Sequence, residues 1–386
     1  MMKILITTDL FSTTTNGVVT SVKNLYDELK CKGHDVRILT LSENLQSYKE
    51  GSVYYIRSMP IGVYPNVRMP LSYRHKFIKE LIKWKPDVIH SQCEFFTFQY
   101  ALRISKLTNA PIVHTYHTLY ERYVTYVIPY ERFGRFAVRV LSKIRLKRVN
   151  TIIVPTHKVE DTLLTYGMDN KICVIPSGIS LEQHQKRISK EVRSEKRKAL
   201  GIQDEQLVLI NLGRLGTEKN LDELLRYFSS AFINNESIVF MIVGDGPAKE
   251  ELQRLSAELG ISDYVIFTGM VDPSEVQEYY QLGDVFVSAS TSETQGLTYI
   301  EAAANGLPLV CRQDTCLNDV ILQGENGYTY NCEKQFLDSV AAFCTDTELR
   351  ISAGKRSEEI AAAFDKKAFG DAVEAVYESV LHIKGD

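Results

Sequence analysis

Two carboxylates flank a glycine turn in the stretch SETQGLTYIEAAANGLPLV. Glu293 and Glu301 lie eight positions apart, and Gly296 lies between them, immediately before a segment with a helical pattern. Because a helix start presents unpaired N–H groups and the positive end of its dipole, Gly296 and the amides of Leu297 and Thr298 predict a phosphate site. Carboxylates accept hydrogen bonds from paired hydroxyls, so one glutamate on each side predicts two hydroxyl-bearing rings joined by phosphate. A nucleotide sugar has that composition.

A second group of polar residues follows another apolar run. In NLGRLGTEKN, Arg214 and Lys219 lie between a predicted strand and the predicted helix LDELLRYF. Two cations beside a helix start predict a diphosphate site, because guanidinium and ammonium groups neutralise phosphate charge. The alternative is a solvated loop with two ordinary charges, and the motif by itself leaves it open. Glycine turns at Gly17 and Gly244 also follow predicted strands, and glycine lets the backbone approach a ligand.

The elements that position these residues form a repeated pattern of strand and helix. Short apolar runs, unalternated enough to be buried on both faces, are separated by amphipathic segments, which is typical of βαβ units and a parallel sheet. The predicted strands are residues 3–9, 35–41, 87–92, 111–117, 151–156, 172–178, 206–215, 237–247, 264–270, 284–290 and 307–312. Ligands of such sheets bind at the carboxyl ends of the strands, where the candidate residues lie.

The strand series begins twice, which predicts two domains of the α/β class. A chain of 386 residues exceeds the about 250 to 300 at which one hydrophobic core stops growing. We predict a first domain over 1–178, a charged linker over 179–200, a second domain over 201–365 and a final helix over 366–386. Each domain is expected to be a doubly wound parallel sheet, with a cleft between the two.

The net charge of −3 conceals two halves of opposite sign. Residues 1–175 hold 25 Lys and Arg against 14 Asp and Glu, a net +11, and the remainder holds 20 against 34, a net −14. Opposite signs suggest different partners for the two halves. A basic half suits nucleic acid, an anionic membrane or the acidic half itself, and the count does not separate them.

Several classes of protein are disfavoured. No apolar run reaches the roughly 20 residues of a membrane-spanning helix, and the first residues predict a strand and not a secretory signal, so we expect a cytosolic protein. Seven scattered cysteines without a C-x-x-C pair predict reduced thiols and no metal site. No nucleic-acid recognition motif accompanies the basic half, and residues 9–20 lack the G-x-G-x-x-G pattern of a NAD-binding turn.

Taken together, the motifs resemble those of a known enzyme family. Asn-Gly-Val after the first strand, HTYHT, VIPSGI, GRLGTEKN, VGDGP and Glu-x7-Glu followed by AAANGLPLV resemble the retaining glycosyltransferases of family 4, which have the GT-B fold of two Rossmann-like domains. Within that family, TDLFSTTTNGVVTSVKNLYDELKCKGHDV, VHTYHTLYERYVTYV and SETQGL are similar to bacterial diacylglycerol glucosyltransferases, which use UDP-glucose. The resemblance covers nearly the whole chain.

The resemblance implies roles for the residues that match the donor-binding motifs. Arg214 and Lys219 would neutralise the donor diphosphate, the charge that grows as the sugar leaves. Glu293 would contact hydroxyls of the donor sugar, beside the amides of the following helix start. Glu301 would hold the ribose hydroxyls. The donor implied is a nucleotide sugar, UDP-glucose, with no tightly bound cofactor and no metal required for catalysis.

Further roles follow for residues outside those motifs. Gly17 would let the first loop approach the diphosphate, and Gly244 of VGDGP belongs to the donor-binding set. His117, the second histidine of HTYHT, would contact the sugar and help to stabilise positive charge at the anomeric carbon. His114 we interpret as structural. The resemblance also implies that the final helix returns to the first domain.

The implied reaction is a front-face displacement, in which the departing phosphate oxygen accepts the proton of the acceptor. The competing interpretation makes Glu293 a covalent nucleophile, because retaining glycoside hydrolases use one carboxylate in that way and a second as acid and base.

Residues 130–150 carry two stripes at helical spacing. The apolar stripe contains Phe133, Phe136, Ala137, Val140, Leu141 and Ile144, and the basic stripe contains Arg132, Arg135, Arg139, Lys143 and Lys147. A basic rim beside an apolar face suits an anionic bilayer surface. The alternative is a core-packing helix with a solvated basic side, and the pattern alone supports both equally. A lipid acceptor favours the membrane interpretation.

The resulting hypothesis is a glycosyltransferase bound to the inner surface of the cell membrane, with a lipid such as diacylglycerol as acceptor. The alternatives are transfer to a glycosylated lipid, another sugar or a small soluble acceptor, and a sensor that binds the donor without releasing UDP. The sequence leaves the hexose and the oligomeric state open.

Overall fold

The computed structural model of the protein describes residues 1–11, 16–61, 67–122, 130–232 and 237–382. The chain forms two compact units. Unit 1 consists of Met1–Gly178 together with Lys366–Asp386, and unit 2 consists of Ile179–Asp365. Helices cover a parallel sheet in each unit, which confirms the predicted fold class of two Rossmann-like α/β domains.

Unit 1 is built on an eight-stranded sheet with the order β10-β9-β8-β7-β1-β2-β4-β3, in which only β3 runs antiparallel to its neighbour. Its strands are β1 (Lys3–Thr7), β2 (Asp35–Leu41), β3 (Tyr48–Glu50), β4 (Val53–Ile56), β5 (Ser58–Pro60), β6 (Arg68–Pro70), β7 (Val88–Ser91), β8 (Ile112–Thr115), β9 (Thr151–Val154) and β10 (Lys171–Val174). Strands β5 and β6 form a separate antiparallel pair. Its first five helices are α1 (Gly17–Cys31), α2 (Lys76–Trp84), α3 (Phe96–Thr108), α4 (Glu131–Leu146) and α5 (His157–Thr165).

Unit 2 has a six-stranded parallel sheet with the order β13-β12-β11-β14-β15-β16. Its strands are β11 (Leu207–Leu212), β12 (Ile238–Val243), β13 (Val265–Gly269), β14 (Val285–Ser288), β15 (Leu309–Arg312) and β16 (Gly327–Tyr330). Its helices are α6 (Leu181–His184), α7 (Lys190–Ala199), α8 (Leu221–Phe232), α9 (Lys249–Glu258), α10 (Val276–Leu282), α11 (Leu297–Ala304), α12 (Glu333–Thr345) and α13 (Thr347–Ala361). The last helix of the chain is α14 (Lys366–His382).

The central strands are buried on both faces, which explains their unalternated apolar sequences. In β1, Ile4 and Ile6 pack with α1 and α14, whereas Leu5 packs on the opposite face with Phe98 of α3. Strands β3 to β6 and β16 were not predicted. Strands β3, β5 and β6 are three residues long and contain charged residues or proline, and β4 and β16 are rich in tyrosine and not in the aliphatic residues of the central strands.

Residues 179–200, which we expected to form a linker, carry α6 and α7 of unit 2. Arg197 of α7 is 1% exposed, and its guanidinium donates to the carbonyl of Leu282 and, at 2.6 Å, to the carboxylate of Asp284. A buried, paired guanidinium fixes this segment to the sheet, so the charge-rich composition marks an anchored helix and not a free linker.

Helix α14 packs within unit 1. Lys32 Nζ of α1 lies 2.6 Å from Glu374 Oε2, and the hydroxyl of Tyr377 lies 2.6 Å from Nδ1 of the buried His90. Among the described helices, none is both long enough and apolar enough to cross a membrane.

Candidate functional site

The site in unit 2 lies where the sheet order reverses. Strand β11 has β12 on one side and β14 on the other, and such a switch point leaves a crevice at the carboxyl ends of the strands. The loop with Arg214 and Lys219 follows β11, and the loop with Glu293 follows β14. The fold therefore brings together two motifs that are more than seventy positions apart in the sequence.

Gly296 forms the start of α11 and has a left-handed backbone, with φ of +76°. A Cβ at this position would lie 2.3 Å from ring carbons of Tyr299. That ring is buried, and its hydroxyl lies 3.2 Å from Ser288 Oγ at the end of β14. Both conformation and space therefore require glycine here, and the turn presents the first amides of α11, which lack helical partners, beside Glu293.

Lys219 and Glu293 form an ion pair at this helix start. Ser290 Oγ donates to the same carboxylate oxygen of Glu293 at 3.0 Å, and both charged side chains are partly buried. A partly buried pair is screened less than a surface pair, so its electrostatic contribution is larger. A cation and a carboxylate that both match ligand-binding motifs thus meet in one place.

The loop that carries Lys219 is fixed by local contacts. Lys219 ends a 3-10 turn, Thr217–Lys219, and the side-chain amide of the next residue, Asn220, donates to the carbonyl of Ala289 at 3.1 Å. Arg214 forms an ion pair with Glu218, whose side chain is only 7% exposed. Both predicted diphosphate cations therefore already have carboxylate partners, and a donor would have to share or replace those contacts.

Glu301 lies on α11 one helical turn beyond Leu297 and faces Tyr280 of α10. The Tyr280 hydroxyl donates to Glu301 Oε2 at 2.9 Å, and the tyrosine ring is fully buried. The two glutamates of the Glu-x7-Glu motif therefore have different partners, an ammonium for Glu293 and a phenol for Glu301.

Gly244 lies at the end of β12 and has φ of +131°. A Cβ there would lie 2.0 Å from the carbonyl oxygen of Gly213, and its own amide donates to the carbonyl of Gly269 at 3.0 Å. The position needs glycine because two chain segments touch. Its amide is already bonded within the unit, so packing alone accounts for the glycine, and its place in the donor-binding set stays a prediction.

In unit 1, Gly17 is the first residue of α1 and is exposed. The side chain of Asn16 caps this helix by accepting from the amide of Val19 at 2.9 Å.

His117 follows β8 of unit 1, and its Nε2 lies 2.7 Å from Oε1 of the buried Gln92. His117 keeps some solvent-accessible surface, but its burial, with a smaller contribution from His114, lowers its pKa to about 3. Its imidazole is therefore neutral near pH 7.

His114, which we interpreted as structural, is fully buried. Its Nε2 lies 2.9 Å from Glu94 Oε1, and the hydroxyl of Tyr120 donates to Glu94 Oε2 at 2.6 Å. Both oxygens of the buried Glu94 carboxylate therefore have hydrogen-bond partners.

Helix α4 exposes most of the stripe that the sequence marks as apolar. Phe133 is 65% exposed, Phe136 is 62% exposed and Ile144 is 56% exposed, and Val140 and Leu141 are also exposed. The helix contacts its own unit through the buried residues Gly134, Ser142 and Leu146. A core-packing helix would bury the apolar stripe, so that alternative is wrong.

The predicted basic stripe is mostly exposed as well. Arg132, Arg135, Arg139 and Lys147 are exposed, although Lys147 lies one residue beyond the end of α4. Arg139 donates to the carbonyl of Thr165 at 2.8 Å. Lys143 departs from the prediction, because it is partly buried beside Gly167.

Three contacts in these sites were not predicted. Glu218 lies four positions after Arg214, a spacing that could have suggested the pair. Gln92 follows β7 at the carboxyl edge of its sheet, where ligand-binding residues are expected. Tyr280 had no local signal, because it meets Glu301 only through the packing of α10 against α11.

Within the described ranges, no three His, Cys, Asp or Glu side chains are grouped to hold a metal ion.

Comparison with solved structures identifies the class of the fold. HepE of Anabaena, in a crystal structure with UDP and glucose, superposes with a TM-score of 0.77 and 16% identity over 98% of this chain and all of that one. The molecule therefore has the two-domain GT-B fold of glycosyltransferases.

Comparison of sequences identifies the family. Residues 15–183 match the profile described as Glycosyltransferase Family 4, and residues 192–360 match Glycosyl transferases group 1. The alpha-monoglucosyldiacylglycerol synthase of Streptococcus pneumoniae is 34% identical, covering 88% of this chain and 77% of the relative. The enzyme of the same name from Acholeplasma laidlawii is 31% identical, covering 97% of this chain and 96% of the relative. The chain belongs to glycosyltransferase family 4.

Proposed function

We propose that the protein transfers glucose from UDP-glucose to the hydroxyl of a membrane lipid, with diacylglycerol as the acceptor and with retention at the anomeric carbon. Two relatives that align over most of their length are named as alpha-monoglucosyldiacylglycerol synthases, and a protein of the same fold binds UDP and glucose. These relatives support the choice of lipid and sugar.

The observation that carries the lipid acceptor is the exposed apolar stripe of α4. Phe133, Phe136 and Ile144 project large apolar side chains into solvent within three helical turns. Exposed apolar side chains in a continuous stripe mark an interaction surface. The exposed arginines beside it suit the negative surface of a bilayer, where each cation contributes about 1 kcal/mol.

The donor is proposed to bind at the switch point of unit 2. The diphosphate would meet the first amides of α11 beside Gly296, and Arg214 and Lys219 would neutralise it. Glu293 would accept from hydroxyls of the sugar and Glu301 from those of the ribose. The ion pair of Lys219 with Glu293 supports this arrangement, since it holds a phosphate-binding group next to a sugar-binding group.

The reaction is proposed to proceed on one face of the sugar. The bond from the anomeric carbon to the phosphate oxygen breaks, the bond to the acceptor oxygen forms on the same side, and the acceptor proton passes to the departing phosphate oxygen. His117 would help to stabilise positive charge at the anomeric carbon. Its imidazole would be neutral in this role, because its pKa is held near 3. A covalent glycosyl adduct that is trapped on Glu293 of the wild type, and is absent from E293Q under the same conditions, would contradict this mechanism.

The test incubates the purified protein with each of a panel of UDP- and GDP-sugars and with vesicles that contain diacylglycerol, glucosyl-diacylglycerol or neither. UDP release and the mass of the lipid product are measured. We expect UDP release and a lipid product of one added hexose only with UDP-glucose and diacylglycerol. Product on a soluble acceptor without any lipid product would overturn the lipid assignment. Donor binding without UDP release under every condition would identify a sensor.

A further inference from the structure

A buried phenol contacts the carboxylate that we assign to the ribose. The hydroxyl of Tyr280 donates to Glu301 Oε2 at 2.9 Å and lies 3.4 Å from the carbonyl of Thr298, the outer limit of a hydrogen bond. Glu301 is thus its main acceptor. Hydrogen bonds to a charged acceptor are stronger and more directional than neutral ones, so this contact limits how the carboxylate can rotate.

The tyrosine is itself held in place. Its side chain is 0% exposed, and its ring lies 6.3 Å from that of Phe286 and 6.4 Å from that of His184, measured between centroids. Burial raises the pKa of Tyr280 well above its ordinary value, with Glu301 adding to the effect, so the phenol remains a donor over the working pH range. Burial lowers the pKa of His184, whose ring therefore stays neutral near pH 7.

The two oxygens of Glu301 are consequently different. Oε2 accepts the proton of a rigid, buried donor, whereas Oε1 has no such constraint from Tyr280. A carboxylate that must accept from two adjacent ribose hydroxyls needs a defined plane, because both bonds weaken steeply with angle.

We propose that Tyr280 is a positioning residue for nucleotide binding: it holds Glu301 Oε2 so that the carboxylate faces the ribose diol, and thereby sets the affinity for the nucleoside part of the donor. This inference rests on the proposed role of Glu301. Tyr280 acts through Glu301, so it should affect donor binding and the KM for the donor more than kcat.

The experiment compares UDP with 2′,3′-dideoxy-UDP, measured by titration calorimetry on the full chain. Y280F keeps the ring and removes only the hydroxyl. We expect it to weaken UDP binding about tenfold, which corresponds to about 1.4 kcal/mol, because the carboxylate loses the contact that fixes its plane. Binding of the dideoxy nucleotide, which lacks the ribose hydroxyls, should not change.

Y330F is the matched control. Tyr330 is also fully buried in unit 2, and its hydroxyl donates to another carboxylate, Glu223, at 3.1 Å. We expect Y330F to leave both nucleotides unaffected. Thermal unfolding of both variants reports whether either has lost its fold, and Y280F placed in an E301Q background should cause no additional loss of UDP affinity.

The outcomes separate the inference from the proposed function. If E301Q reduces the preference for UDP over the dideoxy nucleotide and Y280F does not, Glu301 contacts the ribose and the role of Tyr280 is wrong. Equal weakening of both nucleotides by Y280F would likewise reduce Tyr280 to a structural residue. If E301Q leaves the preference unchanged, the assignment of the ribose to Glu301 fails, and the inference fails with it.

Discussion

Lys219 and Glu293 form an ion pair at the first turn of α11, although they are 74 positions apart in the chain. The pair joins the two carboxyl-terminal loops that flank the switch point of unit 2. In the proposed donor site the ammonium neutralises the diphosphate and the carboxylate binds the sugar, so the pair would place a charge-neutralising group beside the bond that breaks.

The first prediction concerns Lys219 itself. K219M removes the ammonium but keeps most of the side-chain volume, and we expect kcat to fall about 100- to 1000-fold, the usual cost of losing one group that stabilises developing charge. Initial rates of UDP release measure it. K196M is the control. Lys196 Nζ lies 2.7 Å from Glu278 Oε2, and this comparable ion pair is not part of the proposed site. An equal loss in both variants would show a general electrostatic effect.

The second prediction concerns Gly296. G296A forces an alanine into a left-handed backbone and places its Cβ against Tyr299, so we expect loss of UDP binding and a destabilisation of about 2 to 4 kcal/mol. G324A separates the two causes, since Gly324 has φ of +81° with open space around its Cβ position. It should cost only about 1 to 2 kcal/mol. Urea unfolding measures both, and equal costs would show that the clash with Tyr299 is unimportant.

The third prediction concerns the exposed face of α4. The triple variant F133S/F136S/I144S should lose sedimentation with anionic vesicles and lipid glucosylation, because the apolar contact with the bilayer is removed. UDP binding should be unchanged. I351S is the control, since Ile351 on α13 is 55% exposed outside the stripe. Retained vesicle binding by the triple variant would show that another surface contacts the membrane.

The fourth prediction concerns the pH dependence of stability. His117 has a pKa near 3 in the folded chain, lowered mainly by burial, against about 6.5 when unfolded. The unfolded chain therefore binds more protons between these values, so the stabilisation is present above pH 6.5 and is lost as pH falls. Urea unfolding at pH 7 and pH 5 should show a loss in the wild type that exceeds that of H117N by about 1 to 2 kcal/mol. Equal losses would mean that His117 titrates normally in the fold.

The fifth prediction concerns metal ions. Arg214 and Lys219 supply the positive charge at the proposed diphosphate site, so we expect lipid glucosylation to continue at the same rate in EDTA. Added Mg²⁺ should restore nothing. An EDTA-sensitive rate that Mg²⁺ rescues would require a metal at the diphosphate.

Much of the fold was predictable because buried parallel strands have a continuous apolar sequence, and each of the predicted runs overlaps an observed strand. The two loops of the proposed donor site were also predictable, because each follows a predicted strand. Their pairing was not, because the strand order of a sheet is not written in local periodicity: Lys219 meets Glu293 only because β11 and β14 are neighbours.

The helical stripe of α4 shows a different limit. A core helix and a surface-exposed amphipathic helix have the same period of apolar residues, so the sequence left two interpretations of Phe133 and Phe136. Only the packing decides, and α4 contacts its unit through the buried residues Gly134, Ser142 and Leu146 instead. Tyr280 shows the same limit inside the core, since a buried tyrosine is identified with a site only when its hydroxyl partner is known.

The central claim is that this chain glucosylates a membrane lipid with retention. The most direct measurement is the ¹H NMR spectrum of the product formed from UDP-glucose and diacylglycerol in anionic vesicles. We predict a single glucosyl-diacylglycerol whose anomeric proton has the small coupling of an α linkage. A β-linked product would contradict retention, and the absence of any lipid product with a soluble glucoside in its place would contradict the assigned acceptor.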